Sequence, residues 1–505
     1  MAETIVERQE AGAVNAGPLP PGTSFASDVP ARLDRLPWSS WHWRVVIALG
    51  VTWILDGLEV TIVGAISSVL GETSTLHLSE SEIGDAASIY LAGAIVGALV
   101  FGRLTDQFGR KHIFLVTLGV YLVATMLTAC SWGFYSFVLF RALTGAGIGG
   151  ECAAVNSAID ELLPARVRGH ADLAINSTYW VGTAIGAAST LVLLNERFMP
   201  HAVGWRIAFG MGAVLGISVL FVRRHVPESP RWLLLHGRVG EAEEVMRGIE
   251  ADVHGALERA GKGPLPPPGP ARTLVAKGAL SFTAIAEVLL RQHLRRTLFG
   301  LTLMVSQAFA YNAIFFTYAL VLGRFYGVPA GDIGLYLLPF AIGNFLGPML
   351  LGRLFDTVGR RKMIAITYAA AGVLLAITGY GFARGWLTAV TQTVMWSVVF
   401  FVASAAASSA YLTVSELFPV ELRGMAIALF YATGTATGGV AAPAIFSRLI
   451  QSGSRERVFY GYLFGAGLML FAALMAIILG VAAEGKSLEQ IAELGGPAAG
   501  PPPRL

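Results

Sequence analysis

Two acidic residues and one arginine lie inside long apolar runs of this sequence. Asp56 and Glu59 are three positions apart, so on a helix their side chains share one face. Arg141 is the only Lys or Arg deep within any apolar run. Charged groups surrounded by apolar residues need a counter-ion, water or a proton. We therefore expect the two carboxyl groups to bind and release a proton, with Arg141 as the counter-charge of the same proton-coupling site; the alternative is a buried group that only holds helices together.

Composition decides what surrounds these residues. The chain has 505 residues, of which 54% are hydrophobic and 14% are charged, and its mean hydropathy is +0.62. A soluble domain has about 25% charged residues, so neither a soluble enzyme nor a disordered chain fits. The net charge of +3 is too small for a nucleic-acid binder. The sequence has no phosphate-binding loop, zinc-ligand spacing or nucleophile elbow, so we predict no enzyme activity and no cofactor.

Twelve apolar runs are long enough to cross a membrane as helices, which takes about 20 residues each. The sequence therefore predicts an all-α membrane protein with twelve transmembrane helices. Six belong to an N-terminal bundle within 44–222, and six belong to a C-terminal bundle within 297–482. The predicted helices lie near 44–70, 83–103, 113–131, 133–154, 170–194, 204–222, 297–323, 332–352, 363–383, 386–412, 424–447 and 458–482.

Three segments lie outside the predicted spans. Residues 1–43, rich in Gly, Pro and Ala, are predicted to be a disordered tail, and 483–505 form a polar C-terminal tail. Residues 223–296 form a middle loop with amphipathic helices. With both termini inside, 28 of the 36 Lys and Arg lie on the inner side. Because positive charge is enriched on the cytoplasmic side, we predict that both tails and the middle loop are cytoplasmic.

Two motifs repeat in the same order in both bundles. Gly-Arg-Leu-Thr-Asp-Gln-Phe-Gly-Arg at 102–110 returns 250 residues later as Gly-Arg-Leu-Phe-Asp-Thr-Val-Gly-Arg at 352–360. A Glu followed by an Arg after six intervening residues occurs at 161–168 and again at 416–423. Parallel repeats of this kind are typical of transporters that bind their substrate between two halves near the membrane midplane.

The repeated loops supply the residues of a predicted cytoplasmic gate. Acidic and basic side chains of both copies are placed to pair across the interface between the halves when the gate closes, and to separate when it opens. The alternative is that they only cap helices and anchor loops. The predicted gate residues are Arg103, Asp106, Arg110, Glu161, Arg168, Arg353, Asp356, Arg360, Glu416 and Arg423.

These motifs make the chain resemble the major facilitator superfamily over residues 44–490. Within it, the chain is similar to the branch shared by sugar porters, aromatic-acid/proton symporters and synaptic-vesicle-glycoprotein-like transporters. The resemblance rests on the two Gly-Arg loops, on Pro-Glu-Ser-Pro-Arg-Trp-Leu at 227–233 and on Glu-Gly-Lys-Ser-Leu-Glu at 484–489. It implies alternating access between two six-helix bundles in a protein that works as a monomer.

The resemblance also suggests roles for the buried charges. Glu59 matches the acidic residue in span one of sugar porters and is the favoured proton carrier. Aromatic-acid symporters carry acids at both positions, so Asp56 remains a candidate. Arg141 lies in a stretch that resembles the superfamily's span-four motif. It is predicted to be the counter-ion of Glu59 or to bind an anionic substrate; a purely structural arginine is the alternative.

The other substrate-binding candidates are neutral. Gln307 and Asn312 match positions of the sugar porters' span-seven motif, but Ala407–Tyr411 replaces their Gly-Pro and Trp in span ten, which disfavours a sugar. The spans of the second half have no Asp, Glu, Lys or Arg in their interiors, so proton coupling is expected in the first half. The predicted substrate-binding residues are Arg141, Asn176, Trp180, Gln307, Tyr311, Asn312 and Tyr411.

The sequence thus predicts a secondary active, multi-pass transporter of the inner or plasma membrane that carries a small organic acid, with aromatic acids included in that class, together with a proton. Its expected partners are the substrate, protons and the bilayer, without nucleic acid. Sugar or polyol symport is the main alternative, because two amide side chains match the sugar porters. A drug/proton antiporter is less favoured, because span five lacks the Gly-Pro pair typical of those proteins. A receptor that binds without transport would not need the predicted coupling residues.

Overall fold

The structure is a computed structural model that describes residues 23–66, 69–194, 196–223, 226–275, 287–315, 317–328, 333–418 and 423–484. A short strand, β1 (Ser24–Ser27), opens the described chain. The helices of the first half are α1 (Val29–Asp34), α2 (Ser40–Ile66), α3 (Glu80–Phe108), α4 (Arg110–Ala129), α5 (Phe134–Leu162), α6 (Arg168–Ser177), α7 (Tyr179–Leu193) and α8 (His201–Arg223).

The middle loop and the second half are also mainly helical. The middle loop contains α9 (Pro230–Leu235), α10 (Val239–Arg259) and the strand β2 (Arg272–Val275). A π-helical turn (Val288–Gln292) then leads into the second half. Its helices are α11 (Leu294–Phe315), α12 (Tyr318–Tyr326), α13 (Ile333–Thr357), α14 (Arg360–Ala383), α15 (Ala389–Leu417), α16 (Arg423–Gly434), α17 (Ala441–Gln451) and α18 (Arg455–Leu479).

Within the described residues, nine helices are long and apolar enough to cross a membrane. They correspond to predicted spans one to four, seven to ten and twelve. Span five is divided into α6 and α7 at Thr178, span six is α8, and span eleven is α16 and α17 joined by a π-helical turn (Thr435–Val440). The prediction of an all-α membrane protein is confirmed. Of the three predicted spans outside these nine, spans five and eleven are interrupted, and span six is α8, in which His201–Ile217 forms a shorter apolar stretch.

Local sequence sets where the helices begin. The α3 helix starts in a capping box, in which the Ser79 backbone N–H donates to the Glu82 carboxylate and Ser79 Oγ accepts from the Glu82 backbone N–H. The α4 and α14 helices begin directly after Gly109 and Gly359, whose φ angles are 96° and 115°. Glycine adopts these angles without strain, so each repeated Gly-Arg loop makes the same sharp reversal.

The helix that carries the acidic pair packs closely against α7. A Cβ atom on Gly57 would lie 1.9 Å from the Tyr179 carbonyl oxygen, and one on Gly182 would lie 1.9 Å from the Ile54 carbonyl oxygen. Small residues let membrane helices touch backbone to backbone. This contact holds the face of α2 that bears Asp56 beside the helix that supplies Tyr179 and Trp180.

The prediction of a disordered tail over 1–43 is wrong for residues 24–36. There, β1 pairs antiparallel with β2, with Ser24 opposite Val275, and the short α1 helix follows. Val29, Leu33 and Leu36 are fully or almost fully buried against the middle loop. Residues 1–22 lie outside the described part of the chain. The apolar side chains of this short segment have no periodic run of their own, and the surface formed by α9 and α10 of the middle loop gives them a place to be buried.

The middle loop provides that surface. The buried residues of α10 recur every three or four positions and so form one apolar face: Ala242, Met246, Ile249, Val253 and Leu257. This helix was predicted as amphipathic and packs on α1, α2 and α9. The end of the molecule that carries α10 and the two repeated Gly-Arg loops is called the loop face below.

Candidate functional site

A cavity of about 250 Å³ lies between the two halves. Its walls come from α2, α3, α5, α6 and α7 of the first half and from α11, α15 and α16 of the second. Eight aromatic residues line it: Trp53, Tyr90, Tyr179, Trp180, Tyr311, Phe315, Tyr411 and Tyr431. The polar lining residues are Asp56, Cys152, Asn176, Gln307, Asn312, Ser404, Ser408 and Thr435.

The structure brings most of the predicted substrate-binding residues together. Those that line the cavity are Asn176, Trp180, Gln307, Tyr311, Asn312 and Tyr411, and the predicted coupling residue Asp56 joins them. Glu59 and Arg141 do not line it. Among the described lining residues, Asp56 is the single Asp, Glu, Lys or Arg. The cavity is therefore an aromatic chamber that holds one carboxyl group.

Aromatic contacts across the cavity join the halves. The Trp53 ring of α2 lies 6.2 Å from the Tyr411 ring of α15, centroid to centroid. The Trp180 ring of α7 lies 5.9 Å from that of Tyr311 and 5.8 Å from that of Phe315, both on α11. Aromatic pairs at these distances attract one another and also offer flat faces to a ring-shaped solute. A substrate between them would contact both halves at once.

Hydrogen bonds fix the orientation of the cavity's polar groups. Tyr311 Oη donates to Asn344 Oδ1 at 2.7 Å, and Ser404 Oγ donates to the Asn344 carbonyl oxygen at 2.8 Å. Asn312 Nδ2 donates to the Ala308 carbonyl oxygen at 2.6 Å. These bonds use one of the two amide N–H donors of Asn312 and orient Tyr311, so the described lining of the second half presents an oriented, uncharged wall.

Glu59 and Arg141 form a buried ion pair behind the cavity wall. Arg141 Nη1 donates directly to Glu59 Oε1, and the side chains are 2% and 0% exposed. The Arg141 guanidinium also lies 4.3 Å from the centre of the Tyr90 ring and 5.7 Å from that of Phe209. This placement matches the predicted counter-ion role of Arg141. It does not fit the predicted docking of an anionic substrate, because the guanidinium is turned to Glu59 and lies outside the cavity lining.

At the loop face, the repeated motif of the first half forms one charged cluster. Arg110 Nη2 donates to Glu161 Oε1 at 2.8 Å and lies 3.6 Å from Asp106 Oδ1. The backbone N–H groups of Arg110 and Lys111 donate to the Glu228 carboxylate at 2.9 and 3.1 Å. Burial raises the pKa of Glu228, while the backbone hydrogen bonds act in the opposite direction. Glu228 thus caps the first turn of α4.

The second half repeats this cluster. Arg360 Nε and Nη2 donate to Glu416 Oε2 and Oε1 at 2.9 and 3.0 Å, and Arg360 Nη1 donates to Asp356. The Arg360 backbone N–H donates to Glu484 Oε2 at 3.3 Å, as Arg110 does to Glu228. The predicted pairing of Arg110 and Arg360 across the interface is therefore wrong. Each arginine pairs with the Glu of its own half, because the fourth span of each half packs beside the Gly-Arg loop of the same bundle.

Three other contacts cross between the halves at the loop face. Arg168 Nη1 donates to Glu416 Oε1 at 3.5 Å. The backbone N–H of His170 donates to Asp356 Oδ2 at 2.7 Å, and that of Met425 donates to Asp106 Oδ2 at 3.0 Å. Each Asp therefore caps the first turn of a helix in the opposite half, where the helix dipole favours negative charge.

Of the remaining predicted gate residues, Arg353 is exposed and Arg103 is half-buried. Arg423 begins α16, but its side chain lies outside the described residues. Sequence reasoning missed Glu228, Glu484 and the crossing backbone contacts. The repeated position of each Glu after the sixth span of its half could have indicated the first two. Among the described residues, no group of three or more His, Cys, Asp or Glu is placed to hold a metal ion.

Two bundles, a chamber between them and paired contacts at one end define a membrane transporter with the major facilitator fold, not an enzyme. The chain belongs to the family described as Sugar (and other) transporter, whose model matches residues 43–494. This confirms the resemblance inferred from the Gly-Arg loops.

Two relatives and one solved structure illustrate the similarity. A niacin transporter of Acinetobacter baylyi is 27% identical over 467 residues, which cover 92% of this chain and 99% of that protein. A 4-hydroxybenzoate transporter of the same species is 30% identical over 215 residues, 42% of this chain and 45% of that protein. The proton:xylose symporter XylE, bound to 6-bromo-6-deoxy-D-glucose, superposes with a TM-score of 0.73 at 19% identity, covering 90% of this chain and 99% of that chain.

Proposed function

We propose that the protein carries a small aromatic acid across the membrane together with a proton. The observation that carries this proposal is the chamber itself, which combines eight aromatic residues with a single carboxyl group. Relatives named for niacin and for 4-hydroxybenzoate support an aromatic acid as the substrate class. The chamber's volume of about 250 Å³ suits a solute with one ring.

Asp56 gives a physical reason for proton coupling. A carboxylate substrate would meet the Asp56 carboxylate with no Lys or Arg among the described lining residues to balance the two charges. Two like charges 4 Å apart repel by about 4 kcal/mol at an effective dielectric constant of 20. One proton between them replaces this repulsion with a hydrogen bond. We therefore place the transported proton on Asp56, although the sequence favoured Glu59.

Glu59 has a different task in this proposal. Its carboxylate neutralises Arg141, and both side chains are almost completely buried. A buried charge that loses its partner destabilises a protein by about 3–5 kcal/mol. The pair therefore keeps a cation near the chamber without offering it to the substrate. A proton on Glu59 would leave Arg141 without its counter-ion. The stability of the pair would then depend on whether the chamber is occupied.

The loop face acts as the cytoplasmic gate. The distribution of Lys and Arg supports this orientation, with 28 of 36 on that side and both termini cytoplasmic. With the three crossing contacts formed, the halves meet at the loop face and the chamber is closed there. The acid and its proton enter from the outer side, and the crossing contacts break when the halves rock to release them.

The experiment uses purified protein in liposomes with an imposed pH gradient, offered benzoate-like and pyridine carboxylic acids beside sugars and polyols. We expect wild type to concentrate an aromatic acid only when the gradient is present. Asp56→Asn should still exchange the acid, with binding that no longer depends on pH, and should not concentrate it. Gradient-independent uptake of an acid, or unchanged accumulation by Asp56→Asn, would contradict the proposal.

The same panel separates the alternatives. Uptake of a sugar or polyol and of no acid would identify a sugar-type porter, since neutral hydroxyl groups can bond to Gln307, Asn312 and Ser404 without a proton on Asp56. Efflux of an apolar cation against a proton influx would identify an antiporter. Binding of a panel member without any flux would identify a receptor.

A further inference from the structure

Tyr90 lies between the chamber and the buried ion pair. Three side chains are recorded in contact with the Arg141 guanidinium, namely Glu59, Tyr90 and Phe209. Of these three, only Tyr90 also lines the chamber. The Tyr90 hydroxyl also interacts electrostatically with Arg141, Glu59 and Asp56. Tyr90 is therefore the chamber residue that lies against the buried ion pair.

The backbone around Tyr90 is fixed more firmly than its ring. A Cβ atom on Gly145, one turn beyond Arg141 on α5, would lie 2.1 Å from the Tyr90 carbonyl oxygen. A Cβ atom on Gly93 would lie 2.2 Å from the Ala142 carbonyl oxygen. The α3 and α5 helices thus touch backbone to backbone at this level. The side chain of Tyr90 therefore has more freedom to respond to the chamber than its backbone has.

We propose that Tyr90 is the positioning residue that couples occupancy of the chamber to the Glu59–Arg141 pair. This proposal rests on proton-coupled transport through the chamber. With Glu59 ionised, the guanidinium is shared between a carboxylate and the ring. When Glu59 takes a proton, the Tyr90 face becomes the main remaining partner of the cation. The Tyr90 ring is then held in one orientation and forms a fixed part of the chamber wall. Because coupling is reciprocal, protonation of Glu59 strengthens substrate binding by the same factor as substrate binding strengthens protonation of Glu59.

The test compares variants that separate the ring face from side-chain volume. Tyr90→Phe keeps the ring, Tyr90→Leu keeps most of the volume, and Phe209→Leu removes the other ring over Arg141. In liposomes, we expect Tyr90→Leu to exchange substrate within a few-fold of wild type and to lose about half or more of its gradient-driven accumulation, the remainder being driven by the proton on Asp56. We expect Tyr90→Phe and Phe209→Leu to keep accumulation within about twofold of wild type. Of these three variants, only Tyr90→Leu should lose the part of the pH dependence of substrate binding that comes from Glu59, while the part that comes from Asp56 remains.

Two results would overturn the proposal: accumulation by Tyr90→Leu at the wild-type level, or equal loss in Phe209→Leu, which would mean that any packing defect near Arg141 uncouples transport. If Tyr90→Leu does not fold, Tyr90→Met replaces it under the same criteria. The proposed function fails separately, because it is judged on wild type alone: wild type that moves no acid with the gradient rejects that function before any Tyr90 variant is measured.

A second feature, carried by separate contacts, is the N-terminal segment of residues 24–36, called here the strap. Arg32 donates to Glu250 at 3.1 and 2.6 Å and to Glu243 at 2.8 Å, so the strap is seated on α10 by ion pairs as well as by its apolar side chains. Burial alone would raise the pKa of Glu250, but hydrogen bonds from Arg32 and Arg35 hold it below its usual range.

The strap also reaches the crossing contacts. Asp34 Oδ1 lies 3.3 Å from Arg231 Nη2 and 4.0 Å from Arg168 Nη2. Arg168 in turn meets Glu416 of the second half, and Arg231 donates to the Glu161 carbonyl oxygen at 2.9 Å. A chain of charges therefore connects the N-terminal segment with both halves at the loop face.

We infer that the strap stabilises the closed gate by holding Arg168 toward Glu416. Cys152 lines the chamber and gives a native reporter of gate opening, with the exposed Cys130 replaced by serine. In vesicles that expose the loop face, a small membrane-impermeant thiol reagent should modify Cys152 about two- to fivefold faster in Asp34→Asn than in wild type, as expected for loss of a partly exposed ion pair. Arg32→Ala should act in the same direction.

The matched control is Arg44→Ala. Arg44 pairs with Asp252 on the same α10 helix at 2.9 Å, but this pair is half-exposed and has no recorded contact with Arg168. We expect it to leave the modification rate unchanged. Wild-type rates in both Asp34→Asn and Arg32→Ala, or an equal increase in Arg44→Ala, would overturn the inference. Asp34→Asn keeps the test valid if Arg32→Ala unseats the strap and the protein aggregates.

Discussion

The two halves of the protein are alike at the loop face and different at the membrane midplane. At the loop face, Arg110 and Arg360 occupy the same place in equivalent clusters. Each arginine has a Glu from the fourth span of its own half, an Asp from its own loop and a Glu that caps its helix. At the midplane, the first half buries Asp56, Glu59 and Arg141, whereas the described lining of the second half is neutral.

This difference separates two requirements of alternating access. Closing a gate between two halves is a symmetric task, so both repeats keep the same charged motif. Coupling to a proton requires a titratable group on only one wall, and each additional charge at membrane depth is unfavourable. The second half can therefore serve as an uncharged wall of aromatic rings and amides. The following predictions test this division, beginning with the largest expected effect.

Breaking the midplane ion pair should have the largest effect. In Arg141→Gln, Glu59 is left buried without its cation, and loss of one partner of such a pair is worth about 3–5 kcal/mol. We expect transport to fall at least a hundredfold, measured as gradient-driven uptake in liposomes. The control in the neutral half is Asn344→Leu, which removes the acceptor of Tyr311 and should weaken uptake by roughly tenfold. Equal losses of uptake in the two variants would mean that the buried charges of the first half are no more important for transport than the neutral residues of the second half.

Removing the central arginine of either loop-face cluster should have the next largest effect. We expect Arg360→Gln to lower the thermal unfolding temperature more than Arg110→Gln does. The reason is that Glu416, the partner of Arg360, also contacts Arg168 across the interface. Loss of the Arg360 guanidinium therefore destabilises both the second half and the contact between the halves. Thermal unfolding of detergent-purified protein measures this difference. A larger decrease in unfolding temperature for Arg110→Gln would contradict the idea that the cluster of Arg360 carries the crossing contact.

The two interface caps should both loosen the gate, with the larger effect at Asp356. Asp356→Asn and Asp106→Asn each weaken one hydrogen bond to the first turn of a helix in the opposite half, but Asp356 also accepts a hydrogen bond from Arg360, whereas Asp106 lies 3.6 Å from Arg110. A cap of this kind is worth about 1 kcal/mol, so each variant should increase modification of Cys152 from the loop face by roughly fivefold or more. A smaller increase in Asp356→Asn than in Asp106→Asn would mean that the repeated loops are not equivalent at the gate.

The smallest effect is expected from Tyr311→Phe in the neutral half. The change removes the 2.7 Å hydrogen bond to Asn344 while keeping the ring in the chamber. Such a bond contributes about 0.5–1.5 kcal/mol, so the KM for the substrate should rise a few-fold while accumulation at saturation stays at the wild-type level. A loss of accumulation at saturating substrate would instead give the second half a part in coupling.

The sequence alone was sufficient for the fold and for much of the candidate site. Apolar runs of membrane length identify spans because the bilayer leaves a helix as the simplest way to satisfy the backbone. The repeat at a distance of 250 residues identified the two halves. Asp56, Trp180 and Tyr411 were found as polar or amphipathic side chains within apolar spans, and Gln307 was found through its match to the sugar porters' span-seven motif. The structure brings all four to one chamber.

Tertiary structure decided which partner each of these residues has. Arg141 and Asp56 look equally available in the sequence, but rotation about their helices turns one toward Glu59 and the other into the chamber. The folding of residues 24–36 could not be predicted for the same reason, since its apolar side chains are buried by α9 and α10, about 200 residues later in the chain. Periodicity and motif spacing are local properties, whereas a counter-ion or a docking face depends on how distant helices are packed.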